Sequence, residues 1–447
     1  MLTTTAIADV RRREFARLDE AGEVYLDFTG SALAPASCLA GVDAAGIFGN
    51  PHSSHRASRR STAVMDDARA AVLAHFGVDA STHDVCFTAN ATAALKLVGE
   101  SYPFDEGRGL VLSADNHNSV NGIREFARRA GATTTVLPVD AALRLGNPSQ
   151  GIRLPKSDHG HAPGGLLAYP AQSNFSGVLH PLALVDEAHA AGLDVLLDAA
   201  AYASAHALDL ATCEADFVAV SFYKMFGWPT GVGALIARHA ALDRLRRPWF
   251  AGGTVEFVSV ANDRHGPRRG HERFEDGTPN FLALADIPRG LEWMASLGVD
   301  AIAAHVDAMT STLIDALSRL RRANGAPAVV IYGPATTEGR GGTVAFNVLD
   351  GHARVMPYDV VETALSDQGV FVRGGCFCNP GASEAAFGFD PARTSHCLAA
   401  LDGDFSIPRF AACLGVDAVV GALRASVGVP TNTHDIDRLI AAIRAIL

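Results

Sequence analysis

The chain reads as an α/β protein with a large domain on a mostly parallel sheet and a smaller α+β domain at its C-terminal end. Three features predict this. Between Leu110 and Ile236, short aliphatic or β-branched runs bounded by Gly, Pro, Asp or Asn alternate with longer amphipathic stretches, as βαβ units require. Most of those runs end in polar residues. After about Leu291 the alternation gives way to one long helical pattern followed by strand-like and helical segments.

The expected strands are Leu110 to Leu112, Thr133 to Val139, Leu166 to Tyr169, Val195 to Leu197, Phe217 to Val220 and Gly233 to Ile236. Four of them run into polar tips: Asp115 to Asn118, Gln172 to Asn174, Asp198, and Ser221 to Lys224. Ligands of open α/β sheets sit outside the carboxyl ends of the strands, so these tips are expected to face one site. Gly252 to Arg273, rich in Gly and charge, reads as a mobile loop. The second domain is expected to hold a helix over Val306 to Ala323, a Gly-rich turn at Gly339 to Gly342 and a strand over Thr343 to Val348. A helix near Val360 to Gln368 and a last helix from Asp435 to Leu447, with Thr433 as N-cap, complete it. The boundaries follow as 1–20 for an N-terminal segment packed on the small domain, 21–290 for the large domain and 291–447 for the small one.

With 447 residues and 48% hydrophobic content the chain can bury a large core. Its 37 Lys plus Arg against 48 Asp plus Glu give a net charge of −11, which leaves no electrostatic reason to hold a phosphate backbone, so nucleic acid is not an expected partner. No apolar run is long enough for a membrane span, and the N-terminus turns charged where a signal peptide turns apolar, so a soluble cytoplasmic protein is expected. Seven cysteines, an odd number without a secretory signal, argue against a disulfide framework and for reduced thiols.

The most informative pair is Asp198, ending the run VLLD, and Lys224 in SFYKMFGW. A carboxylate at one strand tip and an amine beyond the next would keep a pyridinium nitrogen protonated while the amine forms a Schiff base, which fits pyridoxal phosphate. Taken alone, the pair fits a helix-capping Asp and a solvated Lys equally well. In FTANATAALKLVGES a strand-like start leads into a helix with Thr92 at its beginning, a place where free N–H groups and a hydroxyl bind phosphate. VRGGCFCNPG puts Cys376 and Cys378 in a Gly-flanked segment with Arg373 nearby, suited to a mobile, partly ionised thiol. No second cysteine pair stands at zinc-like spacing, so no metal is assigned. Arg424 in RASVG is the expected clamp for a substrate carboxylate, with Arg373 and His55 as further candidates.

These motifs, in this order, resemble the class V aminotransferase superfamily of fold-type I pyridoxal phosphate enzymes. Within it they resemble cysteine desulfurases, and among those the desulfurase domain of molybdenum-cofactor sulfurases. The resemblance runs from YLDFTGSALAP (25–35) and NPHSSHRASR (50–59) to RASVGVPTNTHDIDRL (424–439). It implies pyridoxal 5'-phosphate tied to Lys224, Asp198 at the ring nitrogen, His117 stacked on the ring and Asn174 at the ring oxygen. It also implies a phosphate site made of Ala91, Thr92, Ser221 and a Thr278 that crosses from the other subunit of a homodimer. Cys378 would carry a persulfide, with Cys376 beside it.

Many desulfurases carry Gln and His where this chain has Ala201 and Tyr223, and a second Thr where it has Ala91. These departures look like the molybdenum-cofactor branch. The expected reaction takes sulfur from L-cysteine, with Lys224 moving the Cα proton, leaving L-alanine and a persulfide for an acceptor. C–S lysis, selenocysteine cleavage and epimerisation are the alternatives on the same scaffold, and a non-catalytic sulfur carrier is the reading from outside enzymes.

Overall fold

A computed structural model describes residues 4–39, 46–51, 53–146, 164–415 and 419–447. The central element is a seven-stranded sheet made of β1 (His83–Thr88), β2 (Leu110–Ser113), β3 (Thr134–Leu137), β4 (Gly165–Pro170), β5 (Leu193–Asp198), β6 (Phe217–Ser221) and β7 (Gly233–Arg238). In space the order is β1-β7-β6-β5-β4-β2-β3, and β7 alone runs antiparallel to both of its neighbours. Strands β4 and β6 are buried at every residue and β5 at all but one, so both faces are covered and the sequence shows near-continuous apolar runs rather than alternation. At the edge, β3 exposes Thr134, Thr135 and Val136.

Helices α1 (Arg56–His75), α2 (Ala91–Ser101), α3 (Asn118–Asn121) and α4 (Phe222–Phe226) belong to this part of the chain. Helix α5 (Ile287–Leu297) spans the expected domain boundary and leads directly into α6 (Val299–Ser318). The C-terminal part adds α7 (Tyr358–Ser366), α8 (Pro380–Phe387), α9 (Pro391–Ala400), α10 (Ile407–Leu414) and α11 (Thr433–Ile446). Among the described residues no helix is long and apolar enough to cross a membrane.

Residues 252–273 are not the loop that their Gly and charge content suggests. They hold an antiparallel hairpin, β8 (Val255–Ser259) with β9 (Arg264–Pro267), followed by a short turn of 3-10 helix. Gly266 pairs with Phe257, and a Cβ on Gly266 would collide with the Phe257 ring, so the glycine is what lets the aromatic lie across the hairpin. The hairpin exposes Phe257, Val258 and Val260.

The smaller sheet comprises β10 (Val329–Tyr332), β11 (Thr343–Val348), β12 (Arg373–Gly375) and β13 (Ala422–Ser426), antiparallel throughout in the order β10-β11-β13-β12. Val24–Tyr25 and Val370–Phe371 form a separate short parallel pair. Two expectations need correction. Helix α11 is capped by Asn432, not Thr433: Asn432 accepts from the Asp435 N–H while Asp435 accepts from the Asn432 N–H, a reciprocal box that Thr433, already inside the first turn, does not make. Cys397 and Cys413, expected to be free, form a disulfide between α9 and α10, which their packing against one another brings within reach.

Asp435 also accepts from the buried Arg11 guanidinium at 2.6 Å, and the same Arg11 donates to Pro430 O. Both side chains are under one tenth exposed, so truncating one leaves the other buried and charged. Arg11→Met is expected to lower unfolding stability by about 3 kcal/mol, measured as a fall in the urea midpoint with unchanged slope.

Candidate active site at the strand tips

The strand tips meet in a cavity of about 290 Å³. Asp198, the last residue of β5, is buried, and its Oδ1 accepts the Ala200 N–H at 3.0 Å. Ser221, the last residue of β6, accepts the Ala91 N–H at 2.8 Å, which ties the start of α2 to the neighbouring strand. Asn90 caps α2 by accepting from the Ala93 N–H at 2.9 Å. A Cβ on Gly233 would collide with the Asn90 backbone and with Val220 O, so only glycine permits β7 to pass this close to the turn. Lys224, one turn past β6 in α4, reaches the same cavity and is half-buried.

Burial pushes the Lys224 amine below the ordinary lysine value. Asp198 opposes that shift, while Arg424 and Arg373 add to it. Burial likewise holds the His117 imidazole down, again opposed by Asp198 and reinforced by Lys224 and Arg424. His117 caps α3 with Nδ1, which accepts the Ser119 N–H at 3.1 Å. In the neutral ring the proton is thereby assigned to Nε2. The Ser119 hydroxyl lies 2.9 Å from that Nδ1 and 2.7 Å from the Thr92 hydroxyl, forming a relay from the start of α2 to the imidazole. Ser119 has no role in the sequence reading, although it stands two residues after His117 at the N-terminus of a helix.

The expected residues do not all converge. Asp198, Lys224, His117, Asn174, Ala91, Thr92 and Ser221 line the cavity. Thr278 does not line it within one chain: it accepts from Asn50 Nδ2 at 3.0 Å and borders a second cavity of about 380 Å³ that shares Ala89 and Gly231 with the first. His55 is exposed and caps α1 through the Ser58 N–H, so it is not part of the cavity wall. Arg424 is buried behind Asn174. It donates to Asn174 O at 2.9 Å and to Asp27 Oδ1 at 2.8 Å, and its Nε has no partner among the described residues. Arg373 is half-exposed and donates twice to Asp27 Oδ2, at 2.6 and 2.8 Å. Asp27, which carries no role in the sequence reading, joins the two arginines.

The thiol segment hangs beside this wall. Cys378 is exposed, whereas Cys376 is half-buried, donates to Val420 O at 3.4 Å and has its thiol pushed up by burial. Phe377 and Cys378 both have positive φ, 54° and 56°, and the Asn379 N–H closes the turn on Cys376 O at 2.9 Å. Positive φ at both central positions marks a mirror-image turn, where Asn-Gly is the favoured pair. A Phe-Cys pair held there costs about 1 kcal/mol or more per residue. Packing offsets that cost: the Phe377 ring lies 5.4 Å from the Phe175 ring, and the Arg424 guanidinium sits 4.7 Å above it.

A family profile described as Aminotransferase class-V matches residues 24–439. Molybdenum cofactor sulfurases are similar over most of this chain. The protein from Bos taurus is 37% identical over 85% of this chain and 45% of its own length, and the one from Arabidopsis thaliana is 36% identical over 84% and 50%. The chain therefore spans about half the length of the curated relatives it matches. Among solved structures, a cysteine desulfurase from Thermococcus onnurineus NA1 superposes with a TM-score of 0.78 at 24% identity, covering 98% of this chain and 97% of that one. A cysteine desulfurase from Escherichia coli gives 0.73 at 23%, covering 98% of both. A cystine C–S lyase solved with its product cysteine persulfide gives 0.71 at 21%, covering 96% of this chain and 99% of that one. At these identities the structures establish the fold.

The electrostatics of Lys224 give a signed expectation. A small soluble aldehyde with borohydride should trap Lys224 at lower pH than it traps surface lysines. Asp198→Asn removes the charge that holds the amine proton on, so the trapping profile should move to still lower pH. Site-resolved mass spectrometry across a pH series checks both shifts, and a profile unmoved by Asp198→Asn would contradict the coupling.

Proposed function

The chain belongs to the aminotransferase class-V family, and from that premise we propose that it is a pyridoxal 5'-phosphate-dependent cysteine desulfurase. On this reading it takes sulfur from L-cysteine, releases L-alanine and carries the sulfur as a persulfide on Cys378. The observation that carries the reading is the meeting, in one cavity, of a buried carboxylate at one strand tip, a deprotonation-prone amine beyond the next and a helix start capped by Asn90, with an exposed thiol turn beside them.

The donor set fits the cofactor. Asp198 would hold the ring nitrogen protonated, Lys224 would tie the aldehyde carbon, His117 would lie against the ring, and the α2 start with Thr92 and Ser221 would take the phosphate. Pyridoxal 5'-phosphate, when bound, supplies an electron sink conjugated to the substrate Cα. The chain's own groups do the rest. The low-lying amine of Lys224 takes the Cα proton and returns it, which an amine with the ordinary lysine value does poorly near neutral pH. Arg424, behind Asn174, would offer its Nε, unpartnered among the described residues, to the substrate carboxylate while keeping its bond to Asp27. The Cys378 thiolate attacks the substrate sulfur, the Cβ–S bond breaks, its electron pair stays with carbon and is protonated, and the sulfur remains on Cys378. The half-exposed Arg373 is the cation in the same sequence segment.

Several finer assignments belong to the same proposal. Thr278 lies outside the cavity of its own chain, and the neighbouring hairpin exposes Phe257, Val258 and Val260. Both features favour a homodimer in which Thr278 completes the phosphate site of the partner. The curated relatives are molybdenum cofactor sulfurases, which makes molybdenum cofactor a candidate acceptor for the sulfur. We assign the protein to the cytoplasm and retain the division at residues 20 and 290. The second reading is C–S lysis to pyruvate and sulfide, favoured by the shared fold with a cystine C–S lyase. The exposed Cys378 turn speaks for the desulfurase.

Incubation with L-cysteine, followed by quantification of alanine, pyruvate and sulfide and by intact mass, tests the reading. Alanine with one added sulfur on Cys378 is expected; pyruvate with free sulfide would replace it with the lyase. Lys224→Ala is expected to lose the cofactor's visible absorbance and all turnover. Cys378→Ala should keep the absorbance and lose the persulfide, and persulfide retained in that variant would move the role to Cys376.

A further inference from the structure

The turn that presents Cys378 has a backbone that its own residues do not favour, so something outside it must hold it. Three contacts do. Asn118, next to His117, donates its N–H to Cys378 O at 2.7 Å. Asn174 donates its side-chain amide to Phe377 O at 2.7 Å. Asn379, fully buried, donates its amide to Asp115 Oδ1 at 2.5 Å and to Asn174 Oδ1 at 2.9 Å. Asp115 is itself fully buried, with Oδ2 at 2.8 Å from His180 Nε2 and Oδ1 also accepting from the Ser173 hydroxyl at 2.9 Å. Gly381, where a Cβ would collide with Ala114 O, lets the start of α8 lie against the end of β2.

We propose that Asn379 is the positioning residue that latches the Cys378 turn to the cavity wall, with the buried pair Asp115 and His180 as its anchor. The inference rests on the reading of Cys378 as the sulfur carrier, and it explains why a strained turn persists where a mobile loop would otherwise form. Asn174 faces both ways, toward the cavity and toward Phe377 O. A ligand oxygen that takes the Asn174 amide removes one tie, and the direct bond from Asn379 to Asp115 then keeps the Cys378 backbone in place beside Asn118.

Asn379 also caps α8, its Oδ1 accepting from the Ala382 N–H at 3.2 Å. That second role is separable. Asn379→Ser and Asn379→Thr both retain a capping oxygen and both lose the amide donors. In the cofactor-loaded protein, each variant is expected to raise hydrogen–deuterium exchange of the peptide containing Asn118 by about tenfold, the loss expected for one buried charge-assisted hydrogen bond. Peptides of α8 and of β4 and β5 should be unchanged. The ratio of persulfide on Cys378 to alanine released should fall in parallel, with the cofactor absorbance intact. Unchanged exchange at Asn118 in both variants, or an equal rise across β4 and β5, would overturn the latch. If the wild-type protein forms no persulfide, the exchange measurement still decides the latch while the product analysis decides the desulfurase reading.

Discussion

Asp27 is the charge on which the arrangement of the site depends. It is buried and flanked by two guanidinium groups, Arg424 and Arg373, as a carboxylate removed from water requires. Asp27 lies early in the chain and the two arginines on β13 and β12, so their pairing ties the early chain to the small sheet. That placement puts Arg424 under the Phe377 ring and against Asn174 O. The thiol turn and the cavity wall therefore share one electrostatic keystone, and the arginine expected to bind a substrate carboxylate already holds a carboxylate of the chain.

The layout separates two kinds of chemistry. Buried parallel strands and the helix α4 that follows one of them deliver Asp198, Ser221 and Lys224 from a closely packed scaffold, where small errors in position are suppressed by packing. The thiol is delivered by a turn from the other sheet, exposed and backbone-strained, yet tied to residues on either side of His117. On the proposed function, a group that reaches a substrate and then hands on what it has taken has to be less rigidly built than the groups that hold a ring in place.

The parts that were legible from sequence were local. Strand tips ending in Asp198 and Lys224, the helix start at Thr92, and the Gly-flanked cysteines each carry their signal within a few residues. The parts that were not legible depend on pairs far apart in the chain: Asn379 with Asp115, Asn174 with Phe377, Asp27 with Arg424. Composition misled at 252–273, where glycine and charge concealed the hairpin because Gly266 serves a cross-strand ring and not flexibility. It misled also at Cys397 and Cys413, because free thiols were expected from an odd count without a secretory signal, and the count says nothing about which helices meet. At the last helix the cap was misplaced by one residue, since Asn432 and Thr433 are both good capping types and only the reciprocal bonds to Asp435 distinguish them.

The distribution of sulfur in the fold has a consequence of its own. Of seven cysteines, Cys38, Cys86 and Cys213 are buried and Cys397 and Cys413 are bonded to each other. Sulfane sulfur wanders between thiols by exchange, and exchange needs an accessible thiolate. Only Cys376 and Cys378 lie outside both the core and the disulfide, Cys378 exposed and Cys376 half-buried with its thiol pushed up by burial. On the proposed function, sulfur taken up at Cys378 meets one neighbouring free thiol, Cys376, whose ionisation burial disfavours, so transfer outward is the favoured route.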